Sequence, residues 1–444
     1  MRFARPAAGA LQGACSSVPP RGSARIGPIM TDPSWETDSP LPFRMALDRI
    51  LETARTIGIE RIPIEAALGR IAARDLIAPI DVPAHPIALR DGYALCAGET
   101  RGAALMEPKR LRIVRQAFPE TPATQMPEIA PDEAVQVATG APMPPGADTV
   151  LTAERADARG DELLITAPVR AGSGILPAGG DVRRGTPIVS EGSALHPMRL
   201  GLLATTGLEH IEAFRVPRVG IVATGDEFPA RPPSNLITLA AWCERFRFPV
   251  RHWVCRDDPP AIVHAVLSAL RECDAVLTIG GTGPGSRDLI RDALGEIGWH
   301  TLVDGVQLRP GRTTRYGLAR NKPVFALPGR PTANETAFLL LALPGLAQLA
   351  GSRARALPEV PARLARDLRR GREREQSTRA IKVHLYADDY FLHAVPLVGR
   401  ALQKERGRLQ AAAAGQGIVL LEEGDVGLRR GDVLPVLLLE RSWA

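Results

Sequence analysis

The chain has 444 residues, of which 45% are hydrophobic, 23% charged and 4% aromatic, and its formal net charge is +6. These values are ordinary for a globular protein of about three domains, and no apolar run reaches the ~18 residues that a membrane-spanning helix needs. Acidic and basic residues alternate along most of the chain, without a basic stripe interleaved with aromatic residues. The sequence therefore argues against a membrane or nucleic-acid role, whereas the mild positive charge favours anionic substrates.

Cysteine usage and the N-terminal residues bear on the compartment. The five cysteines form no C-x-x-C pair, and an odd number argues against a disulfide framework, so we expect a cytoplasmic protein. Residues 1–29 contain Arg, Ser and Ala but no acidic residue. A transit peptide fits this pattern, but we favour a true start near Met30. Residues 1–38 are therefore treated as an extension, disordered or not translated, outside the fold.

The first half of the chain predicts a scaffold with a β-rich insertion. "SPLPFRMALDRILETA" (39–54) has apolar residues at helical spacing after Ser39, a plausible cap. "IPIEAALGRIAARDLIAPIDVP" (62–83) predicts a second short helix that leads into extended chain. Between 78 and 170, short apolar segments alternate with Pro and Gly turns. We expect a scaffold from 39–77 and 171–215 and an inserted β-rich domain at 78–170.

The second half predicts an α/β domain followed by a small β domain. Three apolar strands end in loops of Gly, Asp, Glu or Arg, in "PRVGIVATGDEF" (217–228), "CDAVLTIGGTGPGSRD" (273–288) and "KPVFALPGRP" (322–331). Continuous apolar runs are typical of parallel strands buried on both faces, and such sheets bind ligands at the carboxyl ends of their strands. We expect a parallel-sheet domain with helices on both faces at 216–355, and a C-terminal β unit at 356–444.

The glycine loop after the second strand, residues 280–288, admits three interpretations. It is a tight strand-to-helix turn, a cradle in which backbone N–H groups hold a phosphate, or such a cradle with Asp288 ligating a metal that bridges the phosphate. The spacing matches neither G-x-G-x-x-G nor G-x-x-x-x-G-K-[ST]. The neighbouring strand-end loops favour the anion site.

Several motifs in order resemble the molybdopterin molybdenumtransferase family, which includes MoeA and the E domain of gephyrin. The resemblance runs from about residue 39 to the C-terminus. It is carried by these segments: "ALRDGYAL" (88–95), "ATGAPMPPGADTVL" (138–151), "LPAGGDVRRGTPIVSEGSALHPMRLGLLATTGL" (176–208), "VGIVATGDEF" (219–228), "DDPPAIVHAV" (257–266), "DGVQLRPGR" (304–312) and "ALPGRP" (326–331).

The resemblance implies a fold, a reaction and partners. The fold is an elongated scaffold, an inserted β-rich domain, a MogA-like α/β molybdopterin-binding domain and a C-terminal β-barrel. The reaction inserts molybdate into adenylylated molybdopterin and releases AMP with Mg²⁺. The family is usually dimeric, with the active site between two subunits, so we expect a homodimer. A MogA-type adenylyltransferase or a molybdoenzyme is a further possible partner.

The resemblance also implies roles for individual residues. The catalytic set is Asp91, Thr139, Asp181, Asp288, Arg309 and Arg312. The cofactor-binding set is Gly280, Gly281, Thr282, Gly283, Gly285, Ser286, Pro328, Gly329 and Arg330. The metal set is Asp226, Glu227 and Asp288, because carboxylates are the hard oxygen donors that Mg²⁺ prefers. The alternative for each carboxylate is a cap or turn residue, and for Asp91 a turn role fits the residues equally well.

The chain departs from the family at the residues that carry the chemistry. The loop at 280–288 resembles the G-G-T-G-x-x-x-R-D of MogA more than the G-G-V-S-V-G-x-x-D of MoeA. Arg309 and Arg312 stand where the family has Lys, and Arg330 stands where it has Asn; Arg and Lys are not equivalent at a tight phosphate site. Two hypotheses follow: an active molybdenumtransferase, and an accessory paralogue that binds molybdopterin or mature cofactor for one molybdoenzyme.

Overall fold

A computed structural model describes residues 40–226, 234–280, 289–354, 356–369, 376–398, 408–425 and 427–439. The helices within these ranges are α1 (Phe43–Thr53), α2 (Pro197–Thr205), α3 (Ser234–Arg245), α4 (Pro259–Glu272), α5 (Leu289–Glu296), α6 (Pro331–Ala337), α7 (Leu343–Leu349) and α8 (Arg408–Ala413). A π-helical turn, Phe338–Ala342, joins α6 to α7. No helix in the described ranges is both long and apolar enough to span a bilayer.

The strands of the first half are short. They are β1 (Leu41–Pro42), β2 (Ile59–Pro63), β3 (Leu76–Ile77), β4 (Ile87–Ala88), β5 (Gly92–Leu95), β6 (Lys109–Ala117), β7 (Glu133–Val137), β8 (Thr149–Thr152), β9 (Asp157–Arg159), β10 (Glu162–Ile165), β11 (Ile175–Leu176), β12 (Pro187–Val189) and β13 (His210–Phe214). Strands β5 to β10 form one six-stranded sheet, in the order β8-β5-β7-β6-β10-β9. This sheet lies inside 78–170; the domain boundaries themselves stay a prediction.

The predicted first helix is present, and the predicted second helix is wrong. Helix α1 buries Phe43, Ala46 and Ile50, at the spacing that the sequence indicates, whereas Ser39 lies outside the described residues. Residues 59–63 form strand β2, which pairs antiparallel with β13, and only a 3-10 turn follows at Ile64–Ala66. Ile62 is buried in this pairing. Burial of β-branched side chains in a sheet overrides the weak helical pattern, and Pro63 interrupts a helix.

The strands of the second half form an α/β sheet and a barrel. They are β14 (Val219–Thr224), β15 (Val250–Cys255), β16 (Ala275–Ile279), β17 (His300–Asp304), β18 (Val306–Arg309), β19 (Arg315–Ala319), β20 (Lys322–Leu327), β21 (Glu359–Leu364), β22 (Leu368–Arg369), β23 (Thr378–Ala387), β24 (Leu392–Pro396), β25 (Gly417–Leu421), β26 (Gly427–Leu428) and β27 (Val433–Leu438).

The α/β sheet has the order β15-β14-β16-β20-β19-β17. The first four strands are parallel, which confirms the predicted α/β sheet and its three adjacent apolar strands. The last two strands join the sheet through antiparallel pairings, so that β19 runs opposite to the other five strands, which the sequence analysis does not anticipate. Arg320 and Asn321 join β19 to β20 with φ of 52° and 60°. Left-handed residues in a two-residue connection make a tight hairpin, which forces the two strands to run antiparallel.

Helices cover both faces of this sheet, as predicted. On one face, Val222, Val276 and Ala326 pack against helices α4 and α5. On the other face, Ile221, Leu277 and neighbouring residues pack against α1, α3 and the π-helical turn. Successive strand residues alternate between the two faces, so both sets of β-strand side chains are buried. The carboxyl ends of the parallel strands lie together at one edge of the sheet.

The C-terminal strands close into a barrel. Strands β23, β24, β21, β27 and β25 pair in this order, and β25 pairs back with β23. Strand β18 adds to the barrel along β23, and β1 adds to β18, both in parallel. The predicted C-terminal β-barrel is therefore present, and β18 connects it to the α/β domain.

Candidate functional site

The site lies where three parallel strands end side by side. Strand β14 ends at Thr224 and leads to Asp226, β16 leads to Gly280, and β20 leads to Pro328. The Oδ1 atom of Asp226 accepts a hydrogen bond from the main-chain N–H of Asp257, 3.2 Å away, in the loop after β15. All four parallel strands thus contribute loop residues to one edge of the sheet.

Gly280 allows these loops to approach one another. Its φ is +96°, and a Cβ there would lie 3.3 Å from the Thr224 hydroxyl. A Cβ on Gly329 would lie 3.5 Å from the Cα of Gly280. The Gly280 N–H donates to the Leu327 carbonyl at 3.3 Å. A side chain at 280 would therefore be strained in conformation and would crowd the end of β14.

Two asparagines hold the loop that follows β20. The side-chain amide of Asn235, on α3, donates to the Gly329 carbonyl at 2.6 Å. That of Asn334, on α6, donates to the Pro328 carbonyl at 2.9 Å. Arg330 is exposed at the start of α6. The sequence analysis missed both asparagines, because each lies in a helix and no motif marks it.

Part of the predicted site lies outside the described residues. This part comprises Glu227, Gly281, Thr282, Gly283, Gly285, Ser286 and Asp288. Asp226 is the described member of the metal set, and its exposed carboxylate at the sheet edge is a donor of the type that Mg²⁺ takes. Among the described residues, no three His, Cys, Asp or Glu side chains group as metal ligands. The metal set therefore stays a prediction.

Asp91 and Thr139 meet directly, although 48 residues separate them in sequence. The Oδ1 atom of Asp91 accepts from the Thr139 N–H at 2.7 Å and from its hydroxyl at 2.9 Å. These bonds, the backbone bond first, hold the pKa of the Asp91 carboxyl below its ordinary value, because they favour the ionised form. The pair therefore presents a fixed, ionised carboxylate.

Close packing of the strands positions this carboxylate. A Cβ on Gly92 would lie 2.1 Å from the Leu151 carbonyl of β8, so only glycine fits after Asp91 in this sheet. On the other side, the N–H of Ala88, in β4, donates to the Ala141 carbonyl, and the Gly140 N–H donates to the Ala88 carbonyl. The chain around Ala88 thus fixes the Thr139 loop beside Asp91.

Asp181 lies in a different loop from this pair. It lies exposed in the loop between β11 and β12, and its main-chain N–H donates to the Val82 carbonyl at 3.0 Å. No hydrogen bond joins it to Asp91 or Thr139 in this described part of the chain. Glu154, which the sequence analysis missed, is near enough to Asp91 for the two carboxyl groups to interact electrostatically. A bond from its own backbone lowers the pKa of its carboxyl, with smaller contributions that include the charge of Arg90.

Arg309 and Arg312 share one turn. Arg309 ends β18, whose partners are β1 and β23 rather than the α/β sheet. The Arg312 carbonyl accepts from the Val306 N–H at 2.9 Å, so the turn folds back on its own strand. Both side chains are exposed. Arg309 thus lies beside the barrel strand β23, where Arg379 is its register partner.

Two family models match the chain. Residues 41–207 match the MoeA N-terminal region (domain I and II), which contains Asp91, Thr139 and Asp181. Residues 220–348 match a probable molybdopterin binding domain, which contains the loops at the sheet edge. The two matches follow each other along the chain.

Relatives and solved structures agree with these models. The chain is 30% identical over 300 residues to a putative molybdopterin biosynthesis protein of Methanocaldococcus jannaschii, covering 64% of this chain and 72% of that relative. It is 24% identical over 420 residues to a molybdopterin molybdenumtransferase of Staphylococcus aureus, covering 92% and 98%. Two crystal structures of the Pyrococcus horikoshii MoeA protein match with TM-scores of 0.74, at 29% and 26% identity, over 91% and 90% of this chain and 100% of theirs.

The fold matches those structures over nearly the whole chain, and both halves of the candidate site fall inside the matched models. On these grounds the chain belongs to the molybdopterin molybdenumtransferase family, whose members include MoeA.

Proposed function

We propose that the protein inserts molybdate into adenylylated molybdopterin and releases AMP, with Mg²⁺ as the metal cofactor. The observation that carries the proposal is the close meeting of the loops after β14, β16 and β20, with Gly329 near the Cα of Gly280. Loops without bulky side chains let a phosphate reach backbone N–H groups. The exposed carboxylate of Asp226 at the same edge suits a metal that accompanies phosphate.

Each group of residues has a proposed role. The two loops that contain Gly280 and Gly329 bind the pyrophosphate. Asp226, Glu227 and Asp288 hold Mg²⁺, which offsets the negative charge of the pyrophosphate. The ionised Asp91, fixed by Thr139, accepts hydrogen bonds from a water or substrate hydroxyl. In a homodimer, Asp91, Thr139 and Asp181 of one subunit complete the site of the other.

The exposed arginines supply positive charge. A guanidinium binds phosphate or another oxyanion through two parallel hydrogen bonds. Arg330 lies next to Gly329 at the sheet edge, and Arg309 and Arg312 lie on the β18 turn. We propose that Arg330 binds the pyrophosphate. Arg309 and Arg312 bind the other anionic substrate, molybdate. A MogA-type adenylyltransferase supplies the substrate, and a molybdoenzyme accepts the product.

Arg330 also favours a second candidate function, an accessory protein that binds molybdopterin or mature cofactor without turnover. An exposed cation at this edge strengthens anion binding in the ground state, and uniform binding of substrate and transition state does not raise turnover. The accessory function predicts tight binding of molybdopterin without AMP release.

Complementation separates the two functions. The wild-type gene and the Asp288→Asn variant are expressed in a strain that lacks its own molybdenumtransferase and is grown at limiting molybdate. Transferase activity predicts that the wild type restores molybdoenzyme activity and that the variant, at equal protein level, does not. No restoration by a well-expressed wild type would contradict the transferase function and support the accessory one.

A further inference from the structure

We infer that Asn235 and Asn334 are positioning residues that turn two peptide groups of the Pro328–Arg330 loop so that their N–H groups face the phosphate of the substrate. The inference rests on the proposed function and adds two residues to it. Neither asparagine belongs to the predicted site residues. Both act through the backbone rather than by touching the substrate.

The two amides hold consecutive peptide groups. The side chain of Asn334 bonds the carbonyl of the peptide between Pro328 and Gly329, and that of Asn235 bonds the carbonyl of the next peptide. Both peptides are trans. In a trans peptide the N–H points opposite to the C=O. Because the carbonyls point toward the helices, the N–H groups of Gly329 and Arg330 point away from them.

These two N–H groups have no protein acceptor among the described residues. Both residues are exposed, and the peptide lies beside Gly280, at the edge where the three strands end. Neighbouring backbone N–H groups without protein acceptors can together bind an anion. The loop therefore has two N–H donors for an oxyanion. The Asn235 and Asn334 amides bond its carbonyls on the opposite side, toward the helices.

A second set of contacts fixes the two helices relative to each other. Trp242, on α3, donates its indole N–H to the Oε1 atom of Glu335, on α6, at 3.1 Å. Lys382, on barrel strand β23, bonds the other oxygen of Glu335 at 2.5 Å. Asn235 and Asn334 thus sit on helices that are tied together and to the barrel. Their amides have a rigid support, as positioning groups require.

Burial of Asn334 argues that it does more than stabilise the fold. The residue is 1% exposed, and its Oδ1 atom has no hydrogen-bond partner among the described atoms. An unpaired buried acceptor is destabilising, and such an atom calls for a reason to be retained. Among the described residues, the amide N–H of Asn334 bonds the Pro328 carbonyl, which belongs to the site loop.

The test compares Asn235→Ala, Asn334→Ala and the control Thr238→Ala. Thr238 lies one turn along α3, and its hydroxyl donates to the Ser234 carbonyl of its own helix. Full-length protein is assayed for AMP release from adenylylated molybdopterin, and inorganic pyrophosphate binding is measured by calorimetry. A lost positioning hydrogen bond predicts a KM and a pyrophosphate Kd raised about fivefold to tenfold in Asn235→Ala, with its melting temperature close to that of the wild type and Thr238→Ala unchanged.

Asn235→Gln, which keeps the amide, should recover part of the affinity. Wild-type KM and pyrophosphate Kd in Asn235→Ala would overturn the inference while leaving the proposed function intact. A wild-type protein that neither releases AMP nor binds pyrophosphate would overturn both. Because Asn334 is buried, Asn334→Ala is interpreted only with its melting curve; Asn235→Ala, at a more accessible position, decides the matter.

Discussion

Thr139 controls the protonation of Asp91. Its N–H and hydroxyl both donate to one carboxylate oxygen, and both bonds favour the ionised form. Thr139→Ala removes the hydroxyl bond, so the pKa of Asp91 should rise toward its ordinary value. Carboxylate NMR of protein labelled with ¹³C at Asp measures this pKa, with Thr139→Ser as the control that keeps the hydroxyl. An Asp91 pKa that is equal in Thr139→Ala and wild type would show that the hydroxyl bond is not made in solution.

Asp388 predicts a local dependence of stability on pH. The N–H groups of Tyr390 and Phe391, and then His393, lower the pKa of its carboxyl from 3.8 to about 2. A depressed folded-state pKa stabilises the turn above the unfolded pKa, and this stabilisation is lost as the pH falls through about 2. Hydrogen-exchange protection of the Tyr390 and Phe391 amides should therefore decrease as the pH is lowered from about 4 to 2.

The isosteric variant Asp388→Asn keeps an acceptor oxygen and removes the charge. Protection of the same two amides, corrected for intrinsic exchange rates, should be lower than in the wild type at pH values above that window and should vary less with pH. If wild type and variant show the same pH dependence, another group is responsible.

At the scale of elements, an ion pair between Glu335 and Lys382 joins α6 to β23. Glu335 and Lys382 are 16% and 15% exposed. Removing one partner of a largely buried pair leaves the other charge without compensation, which we expect to cost about 3 kcal/mol of unfolding free energy. Chemical unfolding of Glu335→Ala, Lys382→Ala and the double variant measures the coupling. Purely additive losses would mean that the pair contributes nothing beyond its separate side chains.

Two glycines in regular elements predict opposite effects of alanine. Gly201, in α2, has open space where a Cβ would be added, whereas Gly92, in β5, faces a backbone carbonyl at 2.1 Å. Gly201→Ala should stabilise the protein by about 0.5–1 kcal/mol, because alanine forms helix better than glycine. Gly92→Ala should destabilise it by about 3 kcal/mol through overpacking. Denaturant unfolding of both variants tests the pair, and a stable Gly92→Ala would contradict the close approach of β5 and β8.

Sequence pattern predicted those elements whose signals are local. The apolar runs that end at Thr224, Ile279 and Leu327 indicated buried parallel strands, and the spacing of Ala46 and Ile50 indicated α1. The segment around Ile62 was misassigned, because its pairing with β13 depends on residues almost 150 positions away. Local patterns carry no information about such a partner, and tertiary pairing overrides them.

At the scale of the whole molecule, the sequence predicted where the site lies, but it predicted few of the contacts within the site. The adjacency of the strand ends follows from parallel topology, and the contact between Asp91 and Thr139 agrees with roles that the family resemblance implies for both. The amides of Asn235 and Asn334 could not be predicted. They act on backbone carbonyls across helix boundaries, and such contacts leave no spacing in the sequence.

Variants of Arg309, Arg312 and Arg330 test whether these positive charges contribute to molybdenum insertion. Lys replaces a bidentate cation by a point charge, so Arg309→Lys and Arg312→Lys should retain or raise molybdenum insertion if charge alone matters. An accessory protein would instead bind molybdopterin more weakly without gaining turnover, and Arg330→Asn would weaken binding further. Calorimetric titration with molybdopterin, beside an insertion assay, distinguishes these cases. Unchanged affinity for molybdopterin in all three variants would show that these arginines do not contribute to its binding.

Molybdenum insertion at the edge of the α/β sheet can be measured in a purified system. Its most direct test incubates the purified full-length protein with adenylylated molybdopterin, molybdate and Mg²⁺, and quantifies AMP and molybdenum cofactor together. AMP and cofactor should appear in equal amounts, both should require Mg²⁺, and Asp288→Asn should lose most of this turnover while keeping the wild-type melting temperature. Tight binding of adenylylated molybdopterin without release of AMP would contradict molybdenum insertion at this edge.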